Sequence, residues 1–284
     1  MLEKDIIEKV GDLPTLPTVA AKINNELQKE SLTAKTLGVI IGDDTALTAR
    51  ILRLANSAFY GQAQQVNNID KAVMILGFDA IKSLAMSISI YSLFKKNKDT
   101  GIDVEGLWWH SLGCAVAAKA LVEKSNKGLG DQAFLYGVVH DIGKIVFISV
   151  LFKEYEQVLQ YAREKGTTVN EAEVQIIGFT HQKIGALLLK HWKFPEDIIT
   201  AVKMHHNLDA DFQKIPPQTA NLIRAVAVGN QMAKALALGK STDEKRQPIP
   251  DIVWKFLNIK RDNIKVFRSL IKEDYAKLIE AWKM

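Results

Sequence analysis

Apolar residues recur at spacings of three and four along almost the whole chain, which is the periodicity of amphipathic helices. In one such segment Leu47, Ile51 and Leu54 share a helical face, and Asp43 or Asp44 is placed to cap its first turn. The alternation typical of strands never persists for more than a few residues. The pattern therefore predicts an all-α protein, with its seven prolines at the joints between helices.

A second apolar face runs from Val73 to Leu84 and predicts one long helix that Asp70 caps. Gly77 lies in the middle of this helix, where its low helical propensity indicates a bend or a close contact. The run Ile145–Leu151 is rich in β-branched residues, but it continues a helical pattern. We therefore predict a buried helix there rather than a strand.

Two polar segments interrupt the helical pattern. Asn97–Asp103 contains a glycine, and Lys240–Pro250 is charged and contains two prolines, so both are predicted to be joints. They delimit an N-terminal helical unit at 1–98, a helical core at 99–240 that contains every histidine, and a helical tail at 241–284. Two roles stay open for the tail, namely packing on the core and pairing two copies of the chain in a homodimer.

Composition narrows the class of protein. The net charge is +5, from 37 basic and 32 acidic residues, and the excess forms no block interleaved with aromatic residues, so no nucleic-acid partner is predicted. No apolar run reaches the roughly 18 residues of a membrane span, and no secretory signal is apparent. The single cysteine, Cys114, excludes an intrachain disulfide and is expected to pack in the core. We therefore expect a cytoplasmic protein with no membrane partner.

The histidines carry the candidate chemistry, and two groups of them are unusual. His140 is followed directly by Asp141, and His205 and His206 are adjacent, each pair near the end of an apolar helical stretch. Imidazole and carboxylate groups suit divalent iron, zinc, manganese or nickel. Since one helix rarely offers more than two ligands at useful angles, a site for one or two ions would gather them from several helices.

Two further histidines, His110 and His181, are candidates to close such a site, whereas His191 is turned about 80° from His181 on the same helix and is left out. His140 and Asp141 would diverge by about 100° on one helix, so the pair would straddle the site with the carboxylate between two ions. Each histidine also has a structural interpretation as a surface residue or a hydrogen-bonded core residue. Spacing alone leaves both interpretations open.

Several short motifs stand out when the chain is read in order. They are Leu13–Pro17, Leu47–Gly61 with its run Leu-Arg-Leu-Ala-Asn-Ser, Ala72–Gly77, the His-Asp-Ile-Gly-Lys sequence His140–Lys144, His181–Trp192, Pro195 and the pair His205–His206. Together they resemble the HDOD family, a relative of the HD superfamily of metal-dependent phosphohydrolases. The resemblance covers about residues 8–235 and implies a multi-helix HDOD fold, in which the N-terminal helical unit packs on an HD-like helical core.

The resemblance also implies a set of metal ligands. The wider HD pattern has ligands in the order His, His-Asp, His, His, His, Asp. The last position is Asn230 here, and its amide is neutral and binds hard cations less well than a carboxylate. The chain departs from the HD-GYP branch too, since Asn207-Leu-Asp-Ala-Asp211 stands where Gly-Tyr-Pro would follow the histidine pair. Carried over to this sequence, the implied ligands are His110, His140, Asp141, His181, His205, His206 and, in the last position, Asn230.

Two functions of different classes follow from the resemblance. The first is a non-catalytic signalling or regulatory module, whose N-terminal unit binds signalling proteins and whose core binds one or two divalent ions. The second is a metal-dependent phosphohydrolase or phosphodiesterase that acts on a nucleotide or cyclic nucleotide, with Asp141 and Lys144 as catalytic residues. Lys144 would steady the developing charge, unless it is a solvated helix residue. A phosphate or nucleotide ligand is compatible with this core, and the neutral Asn230 favours the first function.

Overall fold

The fold consists of α-helices joined by short connections, and the all-α prediction is confirmed. A computed structural model describes residues 3–62, 64–97, 100–208, 212–243 and 245–283. The predicted boundary between 98 and 99, and the residues 209–211 of the segment that replaces Gly-Tyr-Pro, lie outside the described residues. The described helices are α1 Glu3–Val10, α2 Thr18–Gln28, α3 Ala34–Gly42, α4 Thr45–Ala55, α5 Ile69–Leu76, α6 Phe78–Lys95, α7 Val104–Ser125, α8 Gly130–Val139, α9 Ile142–Val150, α10 Phe152–Lys165, α11 Val169–Ile176, α12 His181–His191, α13 Glu196–Met204, α14 Pro217–Ala235, α15 Asp251–Phe256 and α16 Ile264–Lys283.

Polar side chains cap two of the N-terminal helices. The Asp44 carboxylate accepts a hydrogen bond from the Leu47 amide at 2.9 Å and starts α4, so the cap is the second of the two predicted candidates. At α5 the cap is Asn68, whose Oδ1 accepts a hydrogen bond from the Lys71 amide at 2.8 Å. The prediction that Asp70 caps this helix is wrong, because the helix starts at Ile69 and Asp70 lies in its first turn.

Gly77 divides the predicted long helix into α5 and α6. Its φ of 93° lies in a region that L side chains rarely adopt. The Gly77 amide donates to the Val73 carbonyl at 3.0 Å and ends α5, and α6 begins at the next residue, Phe78. The predicted bend is therefore a complete break, after which α6 packs against α5.

Helix α7 lies at the centre of the fold, where it packs against α8, α14 and α16. Next to this centre, α9 is buried from Ile142 to Ile148. The helix predicted at Ile145–Leu151 is confirmed, with Leu151 as its C-terminal cap, although Ser149 and Val150 are exposed. The helices that flank the His-Asp motif, α8 and α9, thus lie in the buried part of the fold.

The C-terminal tail packs on the core through α16. The ring of Trp282 lies 5.2 Å from that of Trp108 between centroids, and Phe267 and Leu278 are buried. Packing on the core is thus one role of the tail, whereas the homodimer stays a prediction. A contiguous set of buried side chains runs from the first helix to the last, and the division of the chain at 98 and 240 also stays a prediction.

One segment of the described residues, Lys127–Val150, is long and apolar enough to cross a membrane. Its apolar window is 89% buried inside the fold. It contains charged residues, among them Asp141 and Lys144, and the chain breaks its helix between α8 and α9. Its apolar composition therefore fits the core helices of this fold.

Candidate metal centre

The predicted ligands come from six helices or their ends and meet in one buried place. His206 is 9% exposed, and the others are at most 1% exposed. His110 lies on α7, His140 ends α8, Asp141 starts α9, His181 starts α12, His205 and His206 follow α13, and Asn230 lies on α14.

The neighbours His140 and Asp141 converge because the helix breaks between them. His140 caps the C-terminus of α8, and Asp141 is the N-terminal cap position of α9. The His140 Nε2 atom lies 3.3 Å from the Asp141 Oδ2 atom. The divergence of about 100° expected on a continuous helix therefore does not apply here.

The glycine of the His-Asp-Ile-Gly-Lys motif allows α9 and α12 to touch. A Cβ atom added at Gly143 would lie 1.9 Å from the His181 carbonyl oxygen and 2.9 Å from the Gly185 amide nitrogen. Only a residue without a side chain permits this crossing. The contact brings the start of α12, and with it His181, next to Asp141.

Three imidazoles and one carboxylate oxygen face a common point. The His181 Nε2 atom lies 3.3 Å from His205 Nε2, 3.2 Å from His206 Nε2 and 3.2 Å from Asp141 Oδ1. The His205 Nε2 atom lies 3.5 Å from the same Asp141 oxygen. Ligands bound at about 2.1 Å to a tetrahedral ion are about 3.4 Å apart, so these separations match such a donor set. We call these four residues the tri-histidine half-site.

Hydrogen bonds on the far side of two rings leave their Nε2 lone pairs free to bind. The His205 Nδ1 atom lies 2.7 Å from the Val202 carbonyl oxygen and donates to it. The His181 Nδ1 atom donates to the Glu173 carboxylate at 2.7 Å, and the His181 amide donates to the same carboxylate at 2.8 Å. A histidine that ligates a metal is usually oriented by such a partner.

The sequence interpretation missed Glu173, which is fully buried. The signal was present, since Glu173 falls four residues after Val169 and next to Ala172, both of which lie on the buried face of α11. A carboxylate on the apolar face of a helix is rare unless it is paired. Its pairing with His181 could be found only after the packing of α11 and α12 was known.

The second half-site consists of His110, His140, Asp141 and Asn230. The His110 Nε2 atom lies 3.1 Å from the Asn230 Oδ1 atom. The His140 Nδ1 atom lies 2.7 Å from the Gly137 carbonyl oxygen and donates to it, and the Nε2 atom faces Asp141 Oδ2 at 3.3 Å. His140 Nε2 and Asn230 Nδ2 are buried without a hydrogen-bond partner among the described residues.

Lys144 is buried beside the site, at 1% exposure. Its Nζ donates to the Asp141 Oδ2 atom at 2.7 Å. The interpretation of Lys144 as a solvated helix residue is therefore wrong, because α9 places it on the side that faces the core. The two oxygens of the Asp141 carboxylate thus face different groups. Oδ1 faces three imidazoles, and Oδ2 faces the Lys144 ammonium group and His140.

The pKa values reflect this burial. Burial lowers the pKa of His110 and of His205, each to about 3, so both rings are neutral. Burial also acts against the charged forms of His140 and Asp141, but their mutual attraction outweighs it. The attraction between the two groups raises the pKa of His140 to about 10. Together with Lys144, it holds the pKa of Asp141 well below its usual range.

The donor atoms fit a divalent ion. Those of Asp141, His181, His205 and His206 lie within 4.8 Å of one another, as do those of His110, His140 and Asp141. Asp141 Oδ1 is buried and has no hydrogen-bond partner among the described residues, although it points into the tri-histidine half-site. Neutral imidazoles and a carboxylate are the ligands that zinc, iron, manganese and nickel accept.

Two residues that the sequence analysis left out of the ligand set lie outside the site. His191 ends α12 and is exposed, as its omission from the ligand set requires. Cys114 is fully buried on α7 and its thiol donates to the Val226 carbonyl at 3.6 Å, so it packs in the core as predicted.

Comparisons with known proteins identify a family. A model of the HDOD domain matches residues 13–208. The crystal structure of an HDOD domain protein of unknown function from Geobacter sulfurreducens is similar at 26% identity and a TM-score of 0.82, over 99% of this chain and 97% of that one.

Other relatives are more distant or longer. A protein of Marinobacter aquaeolei, provisionally described as a signal transduction protein, is 23% identical with a TM-score of 0.75, over 99% of this chain and 61% of that one. A protein of Shewanella amazonensis, provisionally described as a phosphohydrolase, is 24% identical with a TM-score of 0.72, over 98% and 97%. An uncharacterized protein of Treponema pallidum is 25% identical over 240 residues, which are 83% of this chain but 45% of the relative. The chain therefore spans less than half the length of this curated relative.

Proposed function

This chain belongs to the HDOD domain family, and from that premise we propose that it is a non-catalytic signalling or regulatory module of the cytoplasm with a buried divalent-metal centre. The Marinobacter aquaeolei relative is provisionally described as a signal transduction protein, which supports the signalling part of this proposal. The proposed ligands are His181, His205, His206 and Asp141, with His110, His140 and Asn230 beside them. The proposed metals are iron, manganese, zinc or nickel.

The non-catalytic part of the proposal rests on the burial of the proposed metal ligands. Hydrolysis of a phosphate ester needs an open ligand position where substrate and water meet the metal. Here the most exposed of the proposed ligands, His206, is 9% exposed. Lys144 is held by Asp141 at 2.7 Å and so does not reach out toward a substrate.

Elemental analysis of tag-free protein tests the metal centre. We expect a divalent transition metal in the full chain, and its loss in Asp141→Ala. Asp131→Ala is the control, because Asp131 lies on α8 and pairs with Lys119 at 2.6 Å outside the site. Absence of metal in the purified protein and after reconstitution under reducing conditions would refute this part of the proposal.

We further propose that the N-terminal unit binds signalling proteins. Two of its helices, α3 and α5, pack against each other and expose large apolar side chains, with Val39 at 59% and Met74 at 83% exposure. Exposed apolar groups on neighbouring elements are a common feature of protein interfaces. A photoreactive residue placed at Met74 in the full chain should cross-link a partner in cell extracts, whereas one at Val266 on α16 should not. Cross-linking at Val266 alone would contradict the assignment.

A metal-dependent phosphohydrolase acting on a nucleotide or cyclic nucleotide is the second candidate. The observation that favours it is the convergence of five histidines and Asp141, which is more than a scaffold needs. The description of the Shewanella amazonensis relative points to the same class. In that case the metal would lower the pKa of a bound water, Asp141 would hold it, and Lys144 would release Asp141 to meet the phosphoryl group.

An assay separates the two candidates. The metal-loaded full chain is incubated with bis-p-nitrophenyl phosphate and with a panel of nucleotides and cyclic nucleotides. We expect no turnover above that of Asp141→Ala. Turnover that is lost in Asp141→Ala and reduced in Lys144→Met would establish the enzyme and overturn the non-catalytic proposal.

A further inference from the structure

The two half-sites differ in whether their donor atoms are already engaged. In the tri-histidine half-site, His181 and His205 turn hydrogen-bonded Nδ1 atoms outward and free Nε2 atoms inward. Asp141 Oδ1 completes the set and has no hydrogen-bond partner among the described residues. The His181 Nε2 atom lies 3.3 Å from His205 Nε2 and 3.2 Å from His206 Nε2, so these nitrogens face one another and are close enough to bind one ion together.

Other groups of the chain occupy the second half-site. Asp141 Oδ2 accepts a hydrogen bond from Lys144 Nζ at 2.7 Å. His110 Nε2 faces the Asn230 side chain at 3.1 Å, and an amide pairs with this nitrogen in either orientation. Among the described residues, His140 Nε2 and the Asn230 amide nitrogen are left without a hydrogen-bond partner. Of these two atoms, the imidazole nitrogen alone can act as a metal ligand. One free imidazole nitrogen is too few to chelate an ion.

The balance of charge around the two half-sites also favours a single ion. The described carboxylates that touch the half-sites are Asp141 and Glu173, and the ammonium group of Lys144 touches Asp141. One divalent ion together with Lys144 already outweighs these two negative charges. A second ion would place at least five positive charges against two negative ones among side chains that are at most 9% exposed, and buried charge without compensation is strongly unfavourable.

We infer that the centre holds a single divalent ion in the tri-histidine half-site, and that the ammonium group of Lys144 stands where a second ion would neutralise Asp141. This inference rests on the proposed metal centre. Asn230 fits this arrangement, because its amide is neutral and needs no second ion. A carboxylate at this position would need one to offset its charge.

Stoichiometry and location are both measurable in the full chain. The metal-free protein is titrated with Mn²⁺ and with Zn²⁺, and bound metal is counted by native mass spectrometry and elemental analysis. We expect one ion per chain in the wild type, and X-ray absorption of the zinc form should show three imidazole ligands. We expect His110→Gln to keep the ion and His205→Gln to lose it. The absorption measurement uses the wild type, so it locates the ion even if His205→Gln fails to fold.

The double variant Lys144→Met with Asn230→Asp removes the ammonium group and supplies the carboxylate. We expect two ions per chain in it, and spin coupling between them in the manganese form. Asn221→Asp, which adds the same charge near the start of α14, is the matched control and should keep one ion.

The outcomes separate this inference from the proposal beneath it. No ion in the wild type would refute the metal centre itself. Two ions in the wild type, or one ion that is lost in His110→Gln and kept in His205→Gln, would overturn the inference while the metal centre stands. A double variant that still binds one ion would overturn the role assigned to Lys144 and Asn230.

Discussion

The Glu173 carboxylate lies 2.7 Å from the His181 Nδ1 atom, on the side of the ring opposite the Nε2 atom that faces the site. Glu173 is fully buried and also accepts the His181 amide at 2.8 Å. The carboxylate therefore fixes both the tautomer and the direction of the ring, and it makes Nε2 a better donor to a cation.

Removal of this carboxylate should weaken metal binding. Glu173→Gln keeps the shape of the side chain but loses its charge, and we expect metal affinity to fall about 10- to 100-fold. The dissociation constant is measured by competition with a chromophoric chelator. Glu164→Gln on the exposed end of α10 is the control and should leave affinity unchanged. An equal loss in both variants would show that Glu173 does not act through His181.

A methyl group at the crossing of α9 and α12 should destabilise the fold. In Gly143→Ala the new Cβ would lie 1.9 Å from the His181 carbonyl oxygen, so the helices must separate. We expect the free energy of unfolding to fall by at least about 1–3 kcal/mol, with weaker metal binding as the ligands move apart. Denaturant titration of the full chain measures it.

The matched control for this variant is Gly42→Ala at the end of α3, where an added Cβ meets no atom within 4 Å. Alanine in that helix should be neutral or stabilising by up to about 1 kcal/mol. Equal stability of the two alanine variants would contradict the close crossing.

The start of α5 gives a test of the corrected cap. Asn68→Ala removes the side chain that accepts the Lys71 amide, and the free energy of unfolding should fall by about 1 kcal/mol. Asp70→Asn removes only a charge in the first turn, which is worth about 0.3–1 kcal/mol at an exposed position. A larger loss in the Asp70 variant, measured by the same denaturant titration, would restore the original assignment of the cap.

Metal should stabilise the folded chain. An ion that binds only the folded state adds about 2.7 kcal/mol at a free concentration 100 times its dissociation constant. Thermal unfolding with and without a chelator measures the effect. His206→Gln should lose the difference, whereas His191→Gln on the exposed end of α12 should retain it. A chelator effect that persists in the His206 variant would place the stabilising ion elsewhere.

Much of the fold was predictable because it rests on local pattern. Apolar periodicity predicted the helix that contains Leu47 and the buried helix α9, since both depend on short-range spacing. The break at Gly77 was underestimated, because sequence shows that a glycine weakens a helix but not that the chain adopts a positive φ there. Asp70 was predicted as the cap because it is a good capping residue before the apolar face, but the helix starts at Ile69, two residues earlier than that cap requires.

The candidate ligands could be named from their motifs, but their arrangement could not. That His140 and Asp141 converge depends on a helix break that spacing does not reveal. The engagement of Lys144 by Asp141, and of His181 by Glu173, depends on how α9, α11 and α12 pack together. Such contacts join residues from separate helices, and the periodicity of one helix carries no information about its neighbour.

The enclosure of the ligands also governs how quickly an ion is exchanged. Six of the seven side chains are 1% exposed or less and come from six different helices or their ends, with His206 the most exposed at 9%. An ion can leave only when these helices separate, and such openings of a packed core are infrequent. An ion bound while the chain folds would therefore be retained, and the metal content of each molecule would reflect which ions were available at its synthesis rather than those that surround it later.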